Sequence, residues 1–178
     1  MVYLLLGTGF EEIEAITPLD LLRRAGIPVA AAGIDGETVT GKHGISVKTD
    51  LALKDIRLEE AEMLILPGGN ITAIQHSEYG KQLLLSAWNQ GKFVAAICAA
   101  PTVLASLGIT DGRNATCFPG CEPQMGRACL VPGQATVRDG KLITGTSAGC
   151  AVPFALQLIE ALRGAEEAKA VADQIVIR

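Results

Sequence analysis

Five short runs in this chain of 178 residues are apolar at nearly every position rather than at alternate ones. They are Val2–Leu6, Val29–Gly33, Met63–Leu66, Phe93–Ile97 and Leu142–Thr144, each bounded by Gly, Pro or a polar turn. Runs of that length and composition suit strands buried on both faces, which occur in parallel sheets covered by helices. Most of the intervening segments carry helical spacing. Residues 13–25 bring Ile13, Ile16, Leu19, Leu21 and Leu22 onto overlapping faces and stop at Gly26. Residues 79–90 put Leu83, Leu84, Ala87 and Trp88 on one side, and helices are also expected over 151–162 and 166–175. The alternation predicts an α/β fold, a mostly parallel sheet with helices on both faces. Residues 37–53 break it with a small antiparallel excursion, Val39–Thr40 against Ile45–Thr49. Asp139-Gly140, between Thr136–Arg138 and Leu142–Ile143, signals a hairpin. No repeat, low-complexity tract or linker divides the chain, so a single domain over 1–178 is expected.

Charge narrows the partners. Fifteen Lys and Arg against nineteen Asp and Glu give a net charge of −4, with no basic run. That argues against nucleic acid or an anionic membrane as partner. No stretch approaches the about 18 apolar residues of a membrane span, and the N-terminus has no basic region or cleavage site of a signal peptide. A cytoplasmic protein is expected. The five cysteines (Cys98, Cys117, Cys121, Cys129 and Cys150) are odd in number and all lie in the second half. Free thiols fit this better than a disulfide framework.

In open parallel sheets, ligands bind beyond the carboxyl ends of the strands, so the residues after each apolar run matter most. The run Phe93–Ile97 leads into Cys98, with Ala96 and Ala100 at minus two and plus two and Pro101 suited to a first helical turn. Small residues at those two places are what a nucleophile elbow needs. A following helix N-terminus offers N–H groups that lower a thiol pKa. The competing reading is a buried, inert cysteine. Glu14 lies on an apolar stripe with Pro18, Leu21 and Ala25, where a carboxylate is costly unless protonated or paired, so it is a candidate general acid/base. Glu11 and Glu12 read more simply as first-turn residues complementing the helix dipole. Pro67-Gly68-Gly69-Asn70 lets the backbone approach a ligand, and the N–H groups of Gly69 and Ala99 together could form an oxyanion pocket; the same turn also needs no function at all.

These motifs, Gly9-Phe10-Glu11-Glu12-Ile13-Glu14 with Pro18, Leu66-Pro67-Gly68-Gly69, Ala95–Pro101 around Cys98, and Gly145-Thr146-Ser147-Ala148-Gly149, stand in an order that resembles the DJ-one/ThiJ/PfpI superfamily, in its DJ-one branch. The resemblance runs from Met1 to about Ile177. It implies a flavodoxin-like three-layer sandwich, usually a homodimer, and a reactive cysteine matched by Cys98 facing a glutamate matched by Glu14. It also implies amides matched by Gly69 and Ala99, ready oxidation of the thiolate to a sulfinate, and cofactor-independent glyoxalase or deglycase activity on small aldehydes. Two positions depart from it. Phe118 stands where better-known members carry a histidine, and His43 stands where they commonly carry an arginine. His43 is then either an accessory proton carrier or a surface loop residue.

Other chemistries fit poorly. No His follows Cys98 as a glutaminase triad requires, and residue 99 is Ala where a PfpI-like protease needs His. Gly7-x-Gly9 lacks the third glycine of a dinucleotide site, and its carboxylates repel phosphate. Cys117, Cys121 and Cys129 lack the CxxC pair and nearby His of a zinc site, so no metal or other cofactor is expected. Cys117, just after an expected strand at 114–116, is either a second thiol approaching the Cys98 pocket or a packing residue. The expected function is cysteine-dependent conversion of 2-oxoaldehydes. The alternative is a redox-sensing or protective protein built on the same thiol.

Overall fold

The computed structural model of the chain describes residues 1–177. Its elements in order are β1 (Val2–Leu6), α1 (Glu12–Arg24), β2 (Val29–Gly33), β3 (Thr38–Thr40), β4 (Ser46–Lys48), β5 (Leu51–Ala52) and β6 (Met63–Leu66). Next come α2 (Thr72–His76), α3 (Glu78–Asn89), β7 (Phe93–Ile97), α4 (Pro101–Ser106), β8 (Asn114–Ala115) and β9 (Cys129–Leu130). The chain ends with β10 (Thr136–Asp139), β11 (Leu142–Gly145), α5 (Ala151–Arg163) and α6 (Ala165–Gln174). Seven strands make one sheet in the order β10-β11-β7-β6-β1-β2-β5, parallel throughout except for β10 against β11. This is a mixed, mostly parallel α/β fold.

The apolar runs are buried on both faces because successive residues serve two different cores. Val2, Leu4 and Leu6 of β1, with Met63 and Ile65 of β6, pack under α1, α5 and α6. Tyr3 and Leu5, with Leu64 and Leu66, pack under α2, α3 and α4. Alternation along each strand thus builds a helix–sheet–helix sandwich. Truncating a side chain such as Leu4 to Ala in this center costs about 2–5 kcal/mol. Helix α1 ends as its glycine signalled. Gly26 takes φ +64, its N–H donates to Arg23 O, and Ile27 N–H donates to Leu22 O, which satisfies the last carbonyls in a Schellman motif.

Some expectations need correction. Ile13 and Ile16 do not share the buried face of α1; they are 55% and 38% exposed, on the outer stripe with Asp20, while Ala15, Leu21 and Leu22 face the sheet. The excursion over 37–53 is an antiparallel β3–β4 hairpin that ends at Lys48. Asp50 N–H then donates to Ala31 O, which hands Leu51–Ala52 to the main sheet as its parallel edge strand. The expected strand at 114–116 is only Asn114–Ala115, and its parallel partner Cys129–Leu130 carries no periodic signal.

The chain crosses from β1 to β2 on one side, then returns to place β6 on the other side of β1. That reversal opens the crevice between β1 and β6 where parallel sheets bind ligands. The loops after β1, β6, β7 and β11 all meet there.

Candidate active site

Strand β7 is fully buried and delivers Cys98 straight into the turn before α4. Cys98 takes φ +67, a conformation that L residues with side chains rarely adopt. The surrounding bonds hold it there: its N–H donates to Gly145 O at 2.9 Å, and its carbonyl accepts from Phe118 N–H at 2.8 Å. Ala96 and Ala100 are wholly buried on either side, leaving no room for larger residues. The strain lifts a half-buried thiol into a cavity of about 340 Å³. Glu11, Glu14, Lys42, Gly69, Phe118 and Ser147 line that cavity with Cys98 and Ala99.

Glu14 reaches it from the first turn of α1 and is completely buried. Its Oε2 accepts from Gly68 N–H at 2.9 Å, while Oε1 has no partner of hydrogen-bond geometry. The polar group it faces is the Cys98 thiol. Gly68 makes this approach possible: a Cβ there would lie 2.5 Å from Glu14 Oε2 and 2.6 Å from Cys98 Cβ. Gly69, at φ +85, packs so closely on the Gly9–Glu11 backbone that a Cβ would come within 2.5 Å of Glu11 N. Its N–H and that of Ala99 face the Cys98 sulfur.

The two groups titrate as a pair. Burial raises the Glu14 pKa above the ordinary carboxyl value, more than the thiol and the Gly68 N–H lower it. Burial, then the charge of Glu14, pushes the Cys98 thiol up to about 12, against the lowering effect of the two amides. This corrects the expectation of a depressed thiol pKa: α4 has a single turn and a half, and desolvation outweighs its N-terminus. Protonating Glu14 removes the charge that disfavours the thiolate.

The accessory residues separate. Phe118 lines the cavity and is 44% exposed. Cys117 does not join it; the extended chain after β8 turns its buried side chain toward a second cavity with Glu122, Leu130 and Val131. His43 is also absent from the cavity wall. Its side chain is 62% exposed, with Nδ1 2.9 Å from Glu12 Oε2 and 3.6 Å from Glu11 Oε1. The residue before it, Lys42, supplies a cation at the wall instead; its N–H donates to Phe10 O, which holds this turn beside the start of α1.

Glu12 is also not a solvated first-turn carboxylate. It is 5% exposed and grips the β3–β4 turn, accepting from His43 N–H at 2.7 Å and Ile45 N–H at 3.5 Å. Gly41 passes so near that no Cβ would fit beside the carboxyl. Lys42 is the charged wall residue that sequence reasoning left out, while Glu11 and Ser147 stood in the quoted motifs without a role in the pocket. The Gly41-Lys42-His43-Gly44 turn was the available signal for Lys42, since two glycines mark a tight loop beside a strand end. Among the described residues, the one cluster of His, Cys, Asp and Glu side chains close enough to share a metal ion is Glu11, Glu12 and His43. It is already engaged in the bonds just described. No helix among the described residues is long and apolar enough to cross a membrane.

Residues 1–161 match the DJ-1/PfpI family. The chain is 37% identical over 177 residues to protein dj-1beta of Drosophila melanogaster, covering 97% of this chain and 95% of that protein. A deglycase of Pyrococcus horikoshii is 37% identical over 125 residues, 70% of this chain and 75% of its own. Among solved structures, Drosophila melanogaster DJ-1beta superposes with a TM-score of 0.95 at 36% identity, covering 99% of this chain and 97% of the other. Oxidized Toxoplasma gondii DJ-1 gives 0.92 at 32%, covering 98% and 97%.

Proposed function

From the premise that this chain belongs to the DJ-1/PfpI family, we propose that it converts small 2-oxoaldehydes such as methylglyoxal to hydroxy acids, without a cofactor, through Cys98 and Glu14. The observation that carries this reading is a thiol on a strained elbow facing a buried carboxyl with one free oxygen, with two amides aimed at the sulfur. Relatives named deglycases act in its favour.

In this mechanism the Cys98 proton passes to Glu14 as the sulfur attacks the aldehyde carbon. The C–S bond forms, and the carbonyl π electrons move onto oxygen, where the Gly69 and Ala99 N–H groups hold the alkoxide. Protonation of that oxygen leaves a hemithioacetal and returns Glu14 to its carboxylate. Glu14 then takes the proton from the former aldehyde carbon, giving an enediolate, and delivers it to the adjacent carbon as the hydroxyl proton moves from the first oxygen to the second, which leaves a thioester. Water hydrolyses the resulting thioester, releasing lactate and restoring the thiol. A carboxyl with a raised pKa suits both the taking and the returning of that proton.

The test is lactate formation from methylglyoxal by purified protein, with Cys98→Ser as control. Turnover in wild type and a loss of at least about a thousandfold in the variant is expected; equal lactate from both removes the proposal. A second reading, an oxidation-sensing thiol, is favoured by the same two amides, which fit a sulfinate as well as an alkoxide. Mass spectrometry after mild peroxide treatment should then find Cys98 oxidised ahead of Cys129, the exposed thiol. The expected assembly is a homodimer using the exposed Ile13 and Ile16 of α1; a monomer mass by light scattering removes it.

A further inference from the structure

We propose that Phe118 gives the Cys98 cavity an aryl subsite, so that the chain prefers 2-oxoaldehydes whose second carbonyl carries an aromatic ring, phenylglyoxal over methylglyoxal. This preference rests on the aldehyde chemistry proposed above and names the substituent that the site takes. A three-carbon aldehyde leaves most of the site empty. The cavity measures about 340 Å³, within the range of about 300–1,000 Å³ that encloses drug-sized ligands.

Phe118 is the one large apolar residue in the wall; Gly69, Ala99, Ala148 and Gly149 are small, and the charges of Glu11 and Lys42 oppose each other. The chain has four phenylalanines. Phe10, Phe93 and Phe154 are buried, whereas Phe118 is exposed and belongs to neither of the apolar clusters that flank the sheet. A phenylalanine held in water forgoes the stabilisation of burial, so its apolar area is free for a ligand. Its backbone is also fixed. Phe118 N–H donates to Cys98 O at 2.8 Å, and its carbonyl accepts from Cys121 N–H at 2.9 Å. Pro119 follows, and a residue before proline is steered to extended backbone. The first of these bonds ties Phe118 to the residue that carries the nucleophile, so wall and sulfur keep one spacing.

Once the sulfur is bonded to the aldehyde carbon, the substituent on the next carbon extends into the remaining space. An aryl group there packs offset or edge-on against the Phe118 ring, the arrangements that aromatic pairs favour. A methyl group has no such contact. The chemistry balances as before: phenylglyoxal and water give mandelate and a proton. The aldehyde carbon is oxidised to a carboxylate, the neighbouring ketone carbon is reduced to an alcohol, and water supplies the added oxygen.

The test compares initial rates of mandelate formation from phenylglyoxal with lactate formation from methylglyoxal in wild type, Phe118→Ala and Phe118→Trp. Wild type should show a kcat/KM at least about tenfold higher for phenylglyoxal, the scale on which apolar pockets discriminate. Phe118→Ala should lower that ratio about tenfold, and Phe118→Trp, which keeps an aromatic face, should hold it within about threefold of wild type. A wild-type ratio near one overturns the proposal. So does an equal loss on both substrates in Phe118→Ala, which is what a merely structural residue gives. Product binding separates this inference from the reading beneath it. By calorimetry, mandelate should bind wild type about tenfold more tightly than lactate, and Phe118→Ala should remove the difference. If neither aldehyde is turned over, the aldehyde reading fails and the product affinities still decide the subsite; equal affinities in wild type rule it out.

Discussion

Glu12 and Glu14 lie two residues apart in the first turn of one helix, and both are buried, yet their carboxyls move in opposite directions. Burial pushes each toward the neutral form. At Glu12 the His43 ring, the N–H groups of His43 and Ile45, and the helix's own N–H overcome it and hold the pKa at about 2. At Glu14 one N–H and a thiol are too few, and the pKa stays raised. Residue type and helix are shared; the difference lies in the partners and in how deeply each carboxyl sits, Glu14 the deeper. A carboxylate ringed by donors is a fixed anion that fastens a hairpin; one with an unpaired oxygen is a proton carrier.

The sharpest way to break this contrast is Glu14→Gln beside Glu12→Gln. If Glu14 moves protons, its amide loses about two to four orders of magnitude in kcat for lactate formation. Glu12→Gln should keep kcat within about tenfold, because Glu12 fastens the hairpin and does not line the cavity. Equal losses in steady-state kinetics would show that both act structurally.

Stability sharpens the comparison further, with opposite signs. A depressed acid such as Glu12 contributes stability that is present above the ordinary value of 4.5 and is lost as pH falls toward about 2. A raised acid such as Glu14 is stabilising below 4.5, and that contribution is lost as pH rises through its folded value. Glu12→Gln should therefore cost about 1–3 kcal/mol near neutral pH and progressively less in acid. Glu14→Gln should raise the melting temperature at about pH 8 and leave it nearly unchanged below about pH 4. Thermal melts across this range measure both. Curves of the same sign would put the distinction in doubt.

The sheet could be read from sequence because burying both faces leaves a run of apolar residues with no interruption. β1, β2, β6 and β7 begin and end where those runs do. Cys98 was legible for a related reason, since the elbow demands small neighbours and leaves Ala96, Ala100 and Pro101 as its trace. Glu14 showed itself as a charge on an apolar stripe. The side-chain partners were not visible. Nothing in the spacing of Glu12 and His43, 31 residues apart, says that the β3–β4 turn folds back over α1. Without that turn Glu12 looks like any first-turn carboxylate, and Lys42 like a surface lysine. The thiol pKa was misread because the helix N-terminus is written in the sequence, whereas desolvation by the surrounding loops is a property of the assembled fold.

The smallest expected effect separates two neighbouring side chains of that turn, Lys42 and His43. Lys42 lines the cavity, and its charge lowers the Glu14 pKa, whereas the exposed His43 ring has Glu12 and Glu11 as its polar partners among the described residues. Lys42→Met should let the Glu14 pKa rise further and move the acid limb of the activity profile to higher pH. Exposed charges couple by at most about 1 kcal/mol, so the loss near neutral pH should stay below about fivefold, and added salt should shrink it. His43→Gln keeps a donor for Glu12 and leaves Lys42 in place, so the limb should not move and kcat should change by less than about twofold. If His43→Gln instead shifts the limb as far as Lys42→Met does, the hairpin acts on Glu14 as one electrostatic unit. The boundary between anchor and proton carrier would then lie between α1 and the turn rather than between Glu12 and Glu14.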